Sequence, residues 1–170
     1  MTSQTVAPPA MADFCVEYAA NDVAWAEWIA WELERLGHSY RMELASRRDR
    51  AAYFQSMDEH LSRSRRLIVL VSTETARWFG SDFGRLNPAS ETPSLPVRNL
   101  VHVRVGDCEI PPALRGCVCI DVMHNDPEQS RRALELGIRA AMLLGDSTPR
   151  PIRKRPDFPG PVEASSGTAA

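Results

Sequence analysis

Residues 65–72 read RRLIVLVS, an unbroken aliphatic run between two arginines and a serine. A strand with one wet face alternates apolar and polar side chains. A run without alternation suits a strand covered on both faces, and such strands sit in parallel sheets flanked by helices. The chain on either side supplies the other parts. DFCVEY (13–18) reads as a strand, and NDVAWAEWIAWELERLG follows it as a helix that opens on the cap candidates Asn21 and Asp22 and closes on Gly37. Within that helix Trp25, Trp28, Ile29, Leu33 and Leu36 fall on one stripe, while Trp31 falls off it and is expected to be partly exposed. HSYRMEL (38–44) is expected as a second strand, with Tyr40 and Met42 on one side and Arg41 and Glu43 on the other. AYFQSMDEHLSRS is expected as a second helix, with Phe54, Met57 and Leu61 in register.

Beyond the central run, RWFGSDFGRL (77–86) carries an aromatic pair, a carboxylate and two glycines, and NPASETPSLPVR reads as loop. NLVHVRV (99–105) and CVCIDV (117–122) are expected as a fourth and fifth strand. DPEQSRRALELGIRAAMLL closes the fold as a helix capped by Asp126, with Pro127 in its first turn and Gly145 as its stop. Its stripe is Leu134, Ile138, Ala141 and Met142. Strands alternating with helices join through right-handed crossovers. The expected class is therefore α/β: a flavodoxin-like three-layer sandwich, with a five-stranded parallel sheet in the order 2-1-3-4-5 and helices on both faces. Sites in such sheets lie beyond the C-terminal strand ends. That rule places residues 18–22, the loop 45–52 and the 77–86 stretch in one neighbourhood.

Composition narrows the function classes. With a net charge of −2, the chain has no global field that would draw it to nucleic acid or to an anionic membrane. No apolar run approaches the roughly 18 residues of a spanning helix, and the first residues, MTSQTVAPPAMADF, lack the basic and apolar regions of a secretory leader. The expected location is cytoplasmic. Cys15, Cys108, Cys117 and Cys119 show neither a CxxC pair nor a histidine partner at ligand spacing, so they are expected to be free and mostly buried, with no metal site. His38, His60, His102 and His124 are scattered and are expected at the surface or at strand ends. Ser72 has no GxSxG context to make it a nucleophile. Residues 1–11 read as a loose lead-in, 12–145 as the domain and 146–170 as a Pro-rich disordered tail or linker.

Three stretches, DFCVEYAANDVAWAEWIAWELERLG, RRLIVLVS and VRVGDCEIPPALRGCVCIDV, together resemble a bacterial TIR domain. The nearest likeness is to those at the front of NTPase and tetratricopeptide multidomain proteins. The tail fragment RPDFPGP resembles the linker that follows such domains. The resemblance implies two kinds of function. Some TIR domains assemble through the loop after the second strand and signal by TIR–TIR contact or through an adaptor. Others, once assembled, cleave the nicotinamide–ribose bond of NAD with a glutamate on the helix after the third strand.

At the position of that glutamate the chain departs from the family pattern. Aligned on Trp78, the motif Trp-Cys-x-x-Glu becomes Trp78-Phe79-Gly80-Ser81-Asp82, and Asp82 stands in for the glutamate across a two-residue gap. Aligned from Ser72 without a gap, Gly84 takes the position and no carboxylate remains. Aspartate is shorter than glutamate by about 1.5 Å, and Gly80 and Gly84 disfavour a firm helix around it. Glu17 stands directly before Tyr18 where the family offers a serine, and it would repel a pyrophosphate if it faced the cleft. The loop after the second strand reads SRRDR (46–50), which keeps Arg48 alone of the family's Asp-x-Arg-Pro-Gly. The resemblance thus implies an interaction and assembly module with a degraded catalytic site, whose contact loop carries Arg47, Arg48 and Arg50 and which needs no cofactor. The alternative is an NAD glycohydrolase with Asp82 as catalytic carboxylate and Tyr18, Arg48 and Trp78 framing the NAD. A related nucleoside or nucleotide hydrolase is the third reading.

Overall fold

A computed structural model describes residues 10–45, 50–82, 99–111, 114, 116–123, 126–142 and 156–160. Five parallel strands form one sheet in the order β2-β1-β3-β4-β5. The strands are β1 (Ala12–Tyr18), β2 (Tyr40–Leu44), β3 (Ser64–Val71), β4 (Leu100–Arg104) and β5 (Val118–Asp121). The helices are α1 (Val23–Arg35), α2 (Arg50–Arg63), α3 (Thr73–Asp82) and α4 (Pro127–Ala141). The expected class and strand order are both found, and each strand is within two residues of its expected ends. The aliphatic run is β3, which is hydrogen-bonded to β1 on one side and β4 on the other.

Alternation along the strands divides the core in two. Phe14, Val16, Ile68, Leu70, Val101, Val103 and Ile120 face α1 and α4, where Trp28, Ile29, Leu33, Leu134 and Ile138 meet them. Cys15, Leu67, Val69, Val71 and Leu100 face the other way, onto Tyr53 and Met57 of α2. Both faces of β3 are therefore covered, the condition that lets its sequence run without alternation.

The helix ends follow local chemistry. α1 stops where Gly37 takes φ 86°, with His38 N–H donating to Leu33 O and Gly37 N–H to Glu34 O, so that two terminal carbonyls are satisfied. α4 starts where the Asp126 carboxylate accepts from Glu128 N–H at 3.0 Å, with Pro127 in its first turn. The expected stop at Gly145 lies outside the described residues.

Four expectations need correction. Trp31 is buried, at 8% exposure, because α1 is covered by more than the sheet. Arg35 reaches Glu135 of α4, and α1 buries a band wider than one stripe. His102 is neither superficial nor at a strand end: β4 is an interior strand, and its middle residue is enclosed whatever its polarity. The thiols are not mostly buried. Only Cys15 is, while Cys119 is exposed on β5, an edge strand, and Cys117 precedes that strand. Finally, α3 continues through Gly80 to Asp82, although an irregular segment was expected there. A glycine inside a helix costs only about 1 kcal/mol, which a well-formed first turn offsets.

Candidate functional site

The chain turns from β1 to one neighbour, β2, and then crosses to the other, β3. The C-terminal ends of β1 and β3 therefore flank the crevice where open α/β sheets take their ligands. The exit from β1 supplies one lip: Tyr18, half-buried against the α1 side of the core, then buried Ala19 and a single 3-10 turn, Ala20–Asp22. The exit from β3 supplies the other, Ser72 and the first turn of α3.

Asp22 sits at the N-cap position of α1, yet its carboxylate caps nothing. It crosses the crevice and accepts a hydrogen bond from Ser72 Oγ at 2.7 Å, with both residues 7% exposed. Ser72 is held in turn by α3. Its N–H donates to Thr75 Oγ1 at 2.7 Å, Thr75 Oγ1 donates to Leu70 O at 2.9 Å, and Ala76 N–H closes on Ser72 O at 2.8 Å. Burial holds the Asp22 carboxyl above the usual carboxylate range; the Ser72 hydrogen bond opposes that rise and the nearby Glu74 charge adds to it. Outside this pair, Asn21 Nδ2 donates to Glu74 Oε2 at 2.8 Å, a second tie between the same two lips. The loop after β4 closes the floor. A Cβ on Gly106 would lie 3.0 Å from Ser72 Cα and 3.1 Å from Thr73 N, tight enough that a side chain there would push the two loops apart by a few tenths of an ångström.

Glu17 does not face the crevice. It is 2% exposed on the α2 side of β1, 3.1 Å from His60 Nδ1. Burial raises the Tyr53 hydroxyl well above its ordinary range, and Glu17's charge and hydrogen bond add to that. The repulsion foreseen for a cleft-facing Glu17 therefore does not arise. Burial also raises the four thiols, Cys15 to about 12, which leaves none of them an activated nucleophile.

One strand further along, Arg104 at the end of β4 pairs with Asp121 at the end of β5, with Nη2 and Oδ2 3.1 Å apart. Around them is an open groove of about 770 Å³, which Asp107, Glu109 and the two cysteines Cys108 and Cys119 also line. Among the described residues, no three His, Cys, Asp or Glu side chains converge on a point that could hold a metal ion. No helix among them is long and apolar enough to cross a membrane.

Of the site residues expected from sequence, Tyr18 stands at the crevice and Trp78 lies half-buried on α3. Asp82 is the last residue of α3, and its side chain lies outside the described residues, as do Arg47, Arg48 and the side chain of Arg50. The Asp22–Ser72 bond escaped the sequence reading. Each residue carries an ordinary local explanation, a helix cap and a strand end, and only the pairing of β1 with β3 brings them together.

A parallel sheet in this order, covered on both faces, with its polar residues gathered where β1 and β3 end, defines the flavodoxin-like α/β class. Within that class the chain belongs to the TIR domain family, whose profile matches residues 14–135. Comparison with curated protein sequences finds no match. Among solved structures, similar chains include a metazoan TIR-STING receptor from C. gigas in complex with 2′,3′-cGAMP, 20% identical with a TM-score of 0.47 over 76% of this chain and 41% of that one. A second structure of the metazoan TIR-STING receptor from C. gigas is 19% identical, with a TM-score of 0.45 over 76% and 42%. This chain thus spans about two fifths of either receptor chain.

Proposed function

We propose that the chain is a TIR assembly module of bacterial signalling or defence, working by contact with a second TIR domain in a reducing cytoplasm, where its four thiols stay free. The observation that supports this reading is the state of the crevice. Its lips are tied by the buried Asp22–Ser72 bond and again by Asn21–Glu74, so both of the described carboxylates there are engaged in holding the fold. A dinucleotide clasped at this point would have to displace both ties. The contact loop of the proposal is 45–52, with Arg47, Arg48 and Arg50 as the cations offered to carboxylates of a partner.

A second reading, an NAD glycohydrolase using Asp82, draws support from the length of α3. A helix that runs through Gly80 to Asp82 gives the Asp82 backbone a firmer support than an irregular loop. Two measurements separate the readings. Sedimentation of an Arg47→Glu/Arg48→Glu variant should show weaker self-association, with the wild-type contact fading as salt rises. Nicotinamide release from NAD should stay at background even at high protein concentration. Turnover by the wild type that disappears in Asp82→Ala would make the chain an enzyme and reverse the ranking.

A further inference from the structure

The tail from 146 on is too rich in proline and too poor in apolar side chains to bury a core of its own. Its aromatic residue nonetheless packs, partly buried, against the core of the domain. Phe158 meets Trp25 edge-on, with ring centroids 5.2 Å apart and planes at 87°, and meets Trp28 at 5.4 Å and 73°. The two tryptophans meet one another at 5.8 Å and 88°. Three rings in mutual edge contact are the arrangement their quadrupoles favour. With Phe158 in place, Trp25 and Trp28 are 4% and 0% exposed, and Phe158 itself is partly buried against the cluster on the α1 side of the sheet.

The residues around Phe158 suit a docked segment. Pro156 and Pro159 fix φ in the free chain as well as the docked one, so less freedom is lost on docking. Gly160 takes φ 69°, a conformation L side chains rarely adopt, and open space surrounds the position of its missing Cβ. Its glycine is thus required by the backbone and not by packing.

The geometry points to an interaction surface on α1: the Trp25–Trp28 face is a docking groove for residues 156–160 of the same chain, and its occupation fixes where the tail leaves the domain. The thirteen residues of 143–155 could span roughly 45 Å if extended, and α4 lies beside α1, so the segment reaches the groove without a second copy. Trp25 follows Asp22 by three residues, so the docked segment sits at the crevice end of the sheet. The tail is thereby delivered beside the site and not at the far end of the domain, where α4 finishes.

The full chain tests this directly. Phe158→Ala should shift the indole N–H resonances of Trp25 and Trp28, leave that of Trp78 in place, and raise the rate of tryptic cleavage after Arg153 and Lys154 at least tenfold. Phe158→Tyr, which keeps the ring, should behave as wild type. Gly160→Val, which touches no core atom, should raise cleavage severalfold through strain at φ 69° alone, and it carries the test if Phe158→Ala does not fold. A wild-type tail cut as fast as that of Phe158→Ala overturns the proposal, as does a Gly160→Val tail cut no faster than wild type. Protection that is lost on dilution also overturns it, because the segment would then come from a second copy.

Discussion

Removing the Ser72 hydroxyl should cost this domain far more at neutral pH than in acid. Ser72→Ala leaves the Asp22 carboxylate, 7% exposed, without its described side-chain donor. A buried acceptor stripped of its partner costs about 1–3 kcal/mol, with charged groups at the upper end. Taking about 2 kcal/mol, and ~4 °C per kcal/mol for a domain of this size, Tm at pH 7 should fall by ~8 °C. The pH dependence carries a sign. Burial already holds Asp22 above the usual carboxylate range and Ser72 restrains that rise, so the variant's carboxyl should titrate higher still. The penalty falls on the charged form, is fully present above that titration and fades as pH drops through it. Asp22→Asn keeps an oxygen to accept from Ser72 and removes the charge, so Ser72→Ala in that background should cost at least 1 kcal/mol less than in wild type. Thermal melts followed by circular dichroism at pH 7 and pH 4 measure all four corners of the cycle. Equal losses at both pH values and in both backgrounds would show that Ser72 acts only through Thr75 and the start of α3.

Substitutions at two further places probe other parts of the fold. A Cβ on Gly137 would lie 2.3 Å and 2.4 Å from Cγ1 and Cδ1 of Ile120, so Gly137→Ala should destabilise by about 1–2 kcal/mol despite the better helix former. Ile120→Val in the same chain should recover part of the loss, and a more stable Gly137→Ala in urea denaturation would refute the close approach of α4 to β5. His102 is held below its ordinary pKa by burial, and neither ring nitrogen has a hydrogen-bond partner among the described residues. His38 is likewise held down by burial, with the Asp13 charge opposing. Such groups protonate first in the unfolded chain, so stability should fall as pH drops below about 6.5, by up to ~1.4 kcal/mol per pH unit for each. His102→Leu should remove one such contribution, and an unchanged slope of stability against pH would exclude His102 as its source.

The sheet was legible because β3 is unbroken aliphatic from Leu67 to Val71 and the helices between the strands keep one period each. That pattern demands parallel pairing and a cover on both faces, and the order follows from short right-handed crossovers. What the sequence did not disclose depends on neighbours distant in the chain. Trp31 looked half-exposed from the stripe of α1 alone, and the packing of α4 and the wide buried band of α1 corrected that. Glu17 looked like a threat to an anionic ligand until the strand face placed it beside His60. Gly80 looked like a helix breaker, since a composition argument weighs a single glycine without the Ser72–Thr75 bonds that start the helix before it. Phe158 was one aromatic residue in a proline-rich stretch, and only the groove between two tryptophans more than 120 residues earlier gives it a place.

The strand order has a consequence for how the chain is made. β2 adds to one edge of β1, β3 to its other edge, β4 to β3 and β5 to β4. Every strand therefore leaves the ribosome to find an open edge already waiting, and none has to be threaded between two strands that paired before it. The tryptophans of α1 have the opposite history: they emerge early, and Phe158, the ring that covers them, is among the last residues of the fold to be synthesised.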